Sequence, residues 1–159
     1  MTGRSGTENL RSISLGTSGF GKAFALLKPE ILVLLGDRFE LLAPAISALM
    51  LNIPIAHIHG GELSEGAIDE SVRHAITKMA SIHFPATEVY RRRVIQMGEA
   101  PDRVFNFGAP GLDKLYSSDL MSKADLGKEI GLSFNDPVAL VKLSPISLPR
   151  SAFDIRSEL

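Results

Sequence analysis

The chain of 159 residues is 45% apolar, carries a formal net charge of -1 and has no cysteine, which suits roughly one compact α/β domain. So balanced a charge provides no field for nucleic acid or an anionic membrane surface, and the lack of cysteine excludes disulfides and thiolate metal sites, as suits a reducing cytosol. No apolar run approaches the roughly 20 residues that cross a bilayer, and residues 1–14 lack the apolar core of a signal peptide, so a cytoplasmic protein is expected.

Residues 1–18 are rich in Gly, Ser, Thr and Arg without sustained periodicity, and read as a loose leader before a helix over 19–27. Residues 30–35 (EILVLL) form an apolar run of strand length between Lys28-Pro29 and Gly36-Asp37. Such a run fits a strand buried on both faces of a parallel sheet. A helix over 39–51 follows, with Asn52 as its terminator. The unit then repeats: a strand over 53–59, a helix over 69–80, a strand over 81–85, and a helix over 88–97 that carries Arg91, Arg92 and Arg93. A fourth strand is expected over 104–107 and a helix over 110–116, opened by Pro110. Strands alternating with helices indicate a Rossmann-like parallel sheet with flanking helices and right-handed crossovers. Residues 117–135 turn polar and read as a linker with one helix over 124–130 ended by Gly131, and residues 137–143 read as the first strand of a second domain. The expected division is a leader over 1–18, an incomplete Rossmann-like domain over 19–116, the linker over 117–135 and the start of a further domain over 136–159.

In open parallel sheets ligands bind beyond the carboxyl ends of the strands. Two polar clusters fall at that edge: Gly36-Asp37-Arg38 after the first strand, and His57 to Glu62 after the second. Asp37 also fits the N-cap of the next helix. His57 and His59, two apart on a strand, would share one face, and Gly60-Gly61 would let the chain turn or approach a ligand closely. Asp69 and Glu70 open the following helix, where its dipole favours negative charge. These carboxylates and histidines, converging from adjacent strand ends, fit acid/base chemistry. A zinc or manganese site built on His57, His59 and Glu62, with His74 or His83, is the metal alternative, although no HExxH spacing exists. The arginine run reads as a solvated helix face, and neither a dinucleotide fingerprint nor a P-loop is present.

The motifs GDRFE (36–40), HIHGGE (57–62), IDESVRHAITK (68–78) and RVFNFGAPGLD (103–113) together closely resemble the hydrolysing UDP-N-acetylglucosamine 2-epimerases of sialic-acid and related nonulosonic-acid biosynthesis, over about residues 15–113. The resemblance implies a partial N-terminal domain of the two-domain glycosyltransferase-B-type fold. It also implies a reaction without metal or cofactor: UDP is eliminated from UDP-GlcNAc and the resulting glycal is hydrated to N-acetylmannosamine. A 4-amino-6-deoxy relative of that UDP-sugar is the alternative substrate. Carried over by motif, Asp37, Glu62 and Asp69 are the expected catalytic carboxylates, and Arg38, His57, His59, Glu70 and Arg73 the expected substrate-binding residues. Whether His59 or Glu62 carries one proton transfer stays open. Ser144 stands where the family places a histidine of the cleft, and serine cannot hold a positive charge against a phosphate. Because members of the family carry more chain on both sides, this polypeptide is expected to behave as a fragment of little activity. Its open sheet would make it a homo-oligomer or prone to aggregate. A non-catalytic module binding a nucleotide sugar or a partner is the competing class.

Overall fold

The computed structural model describes residues 6–64, 68–117 and 119–141. Three parallel strands, β1 (Leu32–Leu35), β2 (Ile55–Ile58) and β3 (Ile82–Phe84), lie in the order β1-β2-β3, with Leu34 beside His57 and His57 beside His83. Helices α1 (Gly6–Leu27), α2 (Leu42–Met50), α3 (Ile68–Met79) and α4 (Glu88–Gln96) alternate with them as the sequence indicates. Contacts separate a unit reaching to Ala109 from a second one over Pro110–Ile146, in which α5 (Pro110–Ser117) and α6 (Lys123–Ile130) lie. Helix α6 is capped by the Ser122 hydroxyl, which accepts from Asp125 N at 3.1 Å, and ends at Gly131 with φ 68°, the left-handed stop expected of it. Among the described residues no helix is long and apolar enough to cross a membrane.

One face of the sheet is well covered. Phe24 of α1, Ala45 and Ala48 of α2, and Val72 and Ile76 of α3 pack with Leu34 and Ile55 into the core. Helix α2 is apolar around most of its circumference and correspondingly buried. Its Pro44 is tolerated because it sits in the first turn, where a missing N–H breaks no helical bond. A 3₁₀ turn over Phe39–Leu41 precedes it, so the expected helix starts as 3₁₀ and becomes α-helical only at Leu42.

Several expectations are corrected. The helix before β1 begins at Gly6, not Gly19; of the expected leader only residues 1–5 lie outside the described residues. Gly16 and Thr17, which read as loose coil, lie on its packing face. A Cβ on Gly16 would come within 2.9 Å of the Ala43 Cβ, and the Ser47 hydroxyl donates to the Thr17 carbonyl at 2.9 Å. Small residues thus bring α1 close to α2. Strand β1 is not buried on both faces: Leu34 faces the core, while Val33 and Leu35 are each 59% exposed on the other side. The expected fourth strand shrinks to a single parallel bridge between His83 and Val104. There the Asn106 side chain accepts from Gly108 N at 3.2 Å and Gly108 takes φ 86°, which turns the chain away. Residues 137–141 form no strand, and the rest of that expected strand lies, with Ser144, outside the described residues.

Candidate acid/base site

The carboxyl ends of β1 and β2 carry the site. After β1 the chain turns at Gly36, with φ 86°, and presents Asp37. After β2 it leaves the strand abruptly: His59 itself adopts φ 65° and Gly61 φ 81°. Because His59 is left-handed it is no longer a strand residue, and the expectation that it shares a face with His57 does not apply. Gly61 is required where it stands, since a Cβ there would lie 2.6 Å from the Tyr90 carbonyl oxygen and 2.8 Å from Val94 of α4. Arg93 fastens the same turn by donating to the Gly61 carbonyl.

Arg73, one turn into α3, joins these two loops. Only 7% of its side-chain surface is exposed. Its guanidinium donates to Asp37, to Glu62 Oε2 at 3.0 Å, to the His59 carbonyl at 2.9 Å and to the Ser64 hydroxyl at 3.3 Å. The planar fork of arginine suits such multiple acceptance, which a lysine could not reproduce. Glu62 in turn meets His59, with Oε1 2.5 Å from Nδ1. The carboxylate is an acceptor, so Nδ1 carries the proton of that bond, and His59 Nε2 has no hydrogen-bond partner among the described residues. Asp37 is therefore not the helix cap it could have been. Arg38 occupies the position before the 3₁₀ turn, and no side chain caps it.

His57 lies beneath this cluster and is fully buried. Its Nε2 is 2.9 Å from the Gly36 carbonyl, which can only accept, so that nitrogen bears the proton. Its Nδ1 faces the Thr77 hydroxyl at 3.1 Å. Burial lowers the imidazole pKa to about 4 against the lesser opposing effect of the Gly36 carbonyl, so the ring is neutral. An enclosed ring with both nitrogens engaged cannot touch a ligand, and the expected binding role of His57 is replaced by support of the Gly36 turn.

The remaining expected residues share no hydrogen bond or ion pair with this cluster among the described residues. Arg38 is exposed and pairs with Glu40 at 2.8 Å, and that hydrogen bond and charge raise its pKa, with a smaller contribution from Asp69. Asp69 is thus near Arg38, half-buried in the first turn of α3. Glu70 lies 3.8 Å from His74. Arg73 is an expected substrate ligand that the structure instead makes an internal hub. Sequence reading missed Ser64, and it missed Arg93, which it assigned to a solvated run. Only Arg92 of that run fits the description, since Arg91 donates to the Val104 carbonyl at 3.0 Å. Among the described residues no three His, Asp or Glu side chains stand together as a metal site. A cleft of about 470 Å³ lined by Phe24, Lys28, Glu30 and Asn52 opens at the opposite, amino-terminal edge of the sheet.

The family model for UDP-N-acetylglucosamine 2-epimerase matches residues 2–146. The chain belongs to the UDP-N-acetylglucosamine 2-epimerase family. It is similar to a GDP/UDP-N,N'-diacetylbacillosamine 2-epimerase (hydrolyzing) of Campylobacter jejuni, with 41% identity over 87% of this chain and 36% of the relative. It is likewise 42% identical to a UDP-N,N'-diacetylbacillosamine 2-epimerase (hydrolyzing) of Legionella pneumophila, over 80% of this chain and 34% of the relative. The chain therefore spans about a third of the length of the relatives it matches. Among solved structures, the UDP-GlcNAc 2-epimerase of Neisseria meningitidis, crystallised with UDP-GlcNAc, superposes with a TM-score of 0.65 at 18% identity, over 82% of this chain and 37% of that one. The parallel sheet with flanking helices is thus part of a domain of the glycosyltransferase-B-type fold of these proteins.

Proposed function

We propose that this chain carries the acid/base wall of a hydrolysing 2-epimerase acting on a UDP-linked 2-acetamido sugar, either UDP-GlcNAc or a 2,4-diacetamido-6-deoxy relative. One observation carries the reading. Arg73 gathers Asp37 from the β1 loop with Glu62 and His59 from the β2 loop, at the sheet edge where such folds bind ligands. The chemistry needs a base for the C2 proton. As that proton leaves, the C1–O bond to UDP breaks and a C1=C2 bond forms. Water then adds at C1 while an acid returns a proton to C2 on the opposite face, giving the 2-epimer and free UDP.

Both oxygens of Glu62 are already held, one by Arg73 and the other by His59, so we assign Glu62 to positioning. His59 Nε2 is the nitrogen left to exchange a proton with the sugar, in the manner of a carboxylate-oriented imidazole. Asp37 and Asp69 are the proposed carboxylate partners, Arg38 and Glu70 the proposed ligands of the substrate, and the setting is the cytoplasm. No metal or cofactor is part of the proposal.

The test is a chimera in which this chain replaces the matched 138 residues of the Campylobacter relative. Incubated with each UDP-sugar in D₂O, it should release UDP and a 2-epimer carrying deuterium at C2, and His59→Ala or Asp37→Asn should lower kcat at least about 100-fold. Turnover unaffected by both substitutions would overturn the assignment. Calorimetry finding UDP-sugar binding without product would favour the non-catalytic module.

A further inference from the structure

His57 and Thr77 are both wholly enclosed, and each meets two polar partners. The His57 ring reaches the Gly36 carbonyl through Nε2 at 2.9 Å and the Thr77 hydroxyl through Nδ1 at 3.1 Å. That hydroxyl also lies 3.0 Å from the carbonyl of Arg73, one turn back in α3. A hydroxyl has one proton to give, so the two contacts of Thr77 cannot both be donations. The Arg73 carbonyl already accepts the backbone N–H of Thr77, as a carbonyl four residues back in a helix does. Nδ1 is in the opposite position. Because Nε2 carries the ring proton, Nδ1 is a buried lone pair, and Thr77 is its one partner among the described residues.

We infer that Thr77 is a positioning residue for Asp37: its hydroxyl donates to His57 Nδ1 and locks the ring on the Gly36 carbonyl, one peptide away from Asp37. The inference rests on the acid/base role proposed for Asp37. Two routes then converge on that residue. The Arg73 guanidinium holds its carboxylate, while the Thr77 and His57 pair, rooted one turn further along the same helix, holds the peptide that precedes it. Both are needed, since a carboxylate held only at its head still swings with its backbone, and Gly36, at φ 86°, leaves that backbone the freedom of glycine. The bond is also sealed. A Cβ on Gly60 would come within 3.1 Å of the Thr77 hydroxyl and 3.2 Å of His57 Nδ1, so this glycine lets the β2 turn pass directly over the pair. With water shut out, the ring has no substitute for the hydroxyl.

The experiment records proton and nitrogen NMR spectra of the full chain labelled isotopically at histidine and threonine. The expected result at neutral pH is a slowly exchanging Thr77 hydroxyl proton coupled to His57 Nδ1, beside a protected Nε2 proton. Thr77→Val, which keeps the shape of the side chain, should leave circular dichroism unchanged and speed exchange of the Nε2 proton at least about 10-fold, and Thr77→Ser should restore slow exchange. In the Campylobacter chimera Thr77→Val should lower kcat about 10-fold with KM unchanged, and Thr77→Ser should recover it, as for a group that places a reacting one. A hydroxyl proton directed at the Arg73 carbonyl in the wild-type chain, with Nδ1 unbonded, would overturn the inference. So would an unchanged kcat in the Thr77→Val chimera, or a Thr77→Ser variant that behaves like Thr77→Val, since the methyl and not the hydroxyl would then matter. An inactive wild-type chimera would sink the acid/base reading instead, because the spectra of the chain decide the Thr77 bond without turnover.

Discussion

The pH dependence of stability tests the internal account of the site most directly. His57 is fully buried and its ring titrates at about 4 instead of 6.5. A group with a depressed histidine pKa resists protonation in the folded state and accepts it in the unfolded one. The stabilisation it allows is therefore complete above pH 6.5 and is lost as the pH falls toward 4. At roughly 1.4 kcal/mol per pH unit between the two values, the loss reaches about 3 kcal/mol, a large share of the 5–15 kcal/mol typical of a domain. Urea unfolding measured at half-unit steps from pH 7.5 to 4 gives this as a slope. The control is His57→Gln, whose side-chain amide can still donate to the Gly36 carbonyl but does not titrate. Every other ionisable group is common to both proteins, so the difference between the two curves isolates His57. Parallel curves would refute the argument, because they would mean that the ring binds its proton as readily in the folded protein as in the unfolded one.

Arg73→Met keeps the apolar stem of the side chain but leaves Asp37 and Glu62 without their shared cation, and should cost about 3 kcal/mol in urea unfolding, near the lower end for a broken buried pair because both carboxylates retain some solvent. Gly61→Ala should destabilise by more than about 1 kcal/mol from its φ of 81° alone, and further from the 2.6 Å approach to the Tyr90 carbonyl, as read from the thermal midpoint. Two substitutions in α1 should part company: Gly19→Ala, where nothing lies within 4 Å, should stabilise by about 0.5–1 kcal/mol, whereas Gly16→Leu should destabilise by driving α1 off Ala43.

The alternation of apolar strands and helices was legible because periodicity reports burial, and β1, β2, β3, α2, α3 and α4 follow it, whereas α1 and the expected fourth strand do not. What it could not report was which burial partner is present. The run LVLL has the composition of a doubly covered strand, yet Val33 and Leu35 are open. Composition records where a strand belongs in its fold, while exposure records what covers it in this chain. In α1 the failure ran the other way. Gly16 and Thr17 read as breakers, but their small size is what permits the close crossing over Ala43 and Ser47. The polar cluster was legible as a list, since Asp37, His59 and Glu62 fall at strand ends. Its wiring was not. Arg73 was picked out by its motif as a ligand of the substrate, with nothing to show that it binds two loops together, and nothing about Arg93 announces a bond to the Gly61 carbonyl. Equally, a left-handed His59 cannot be inferred from a motif that otherwise continues a strand.

That wiring bears on how the site divides its labour. Asp37 and Glu62 come from different loops, and both are fixed by one guanidinium that is rooted in α3 and almost enclosed. Beneath them His57 holds the Gly36 carbonyl, and across the turn Arg93 holds that of Gly61. Each loop is thus tied to the interior from below, by groups within the unit that ends at Ala109. The two loops are therefore fixed by side chains of α3 and α4, Arg73 and Arg93. The His59 imidazole, oriented by Glu62 at 2.5 Å, keeps one ring nitrogen without a hydrogen-bond partner among the described residues. It follows that the relative placement of Asp37, His59 and Glu62 rests on side chains of α3 and α4, not on the loops that carry them.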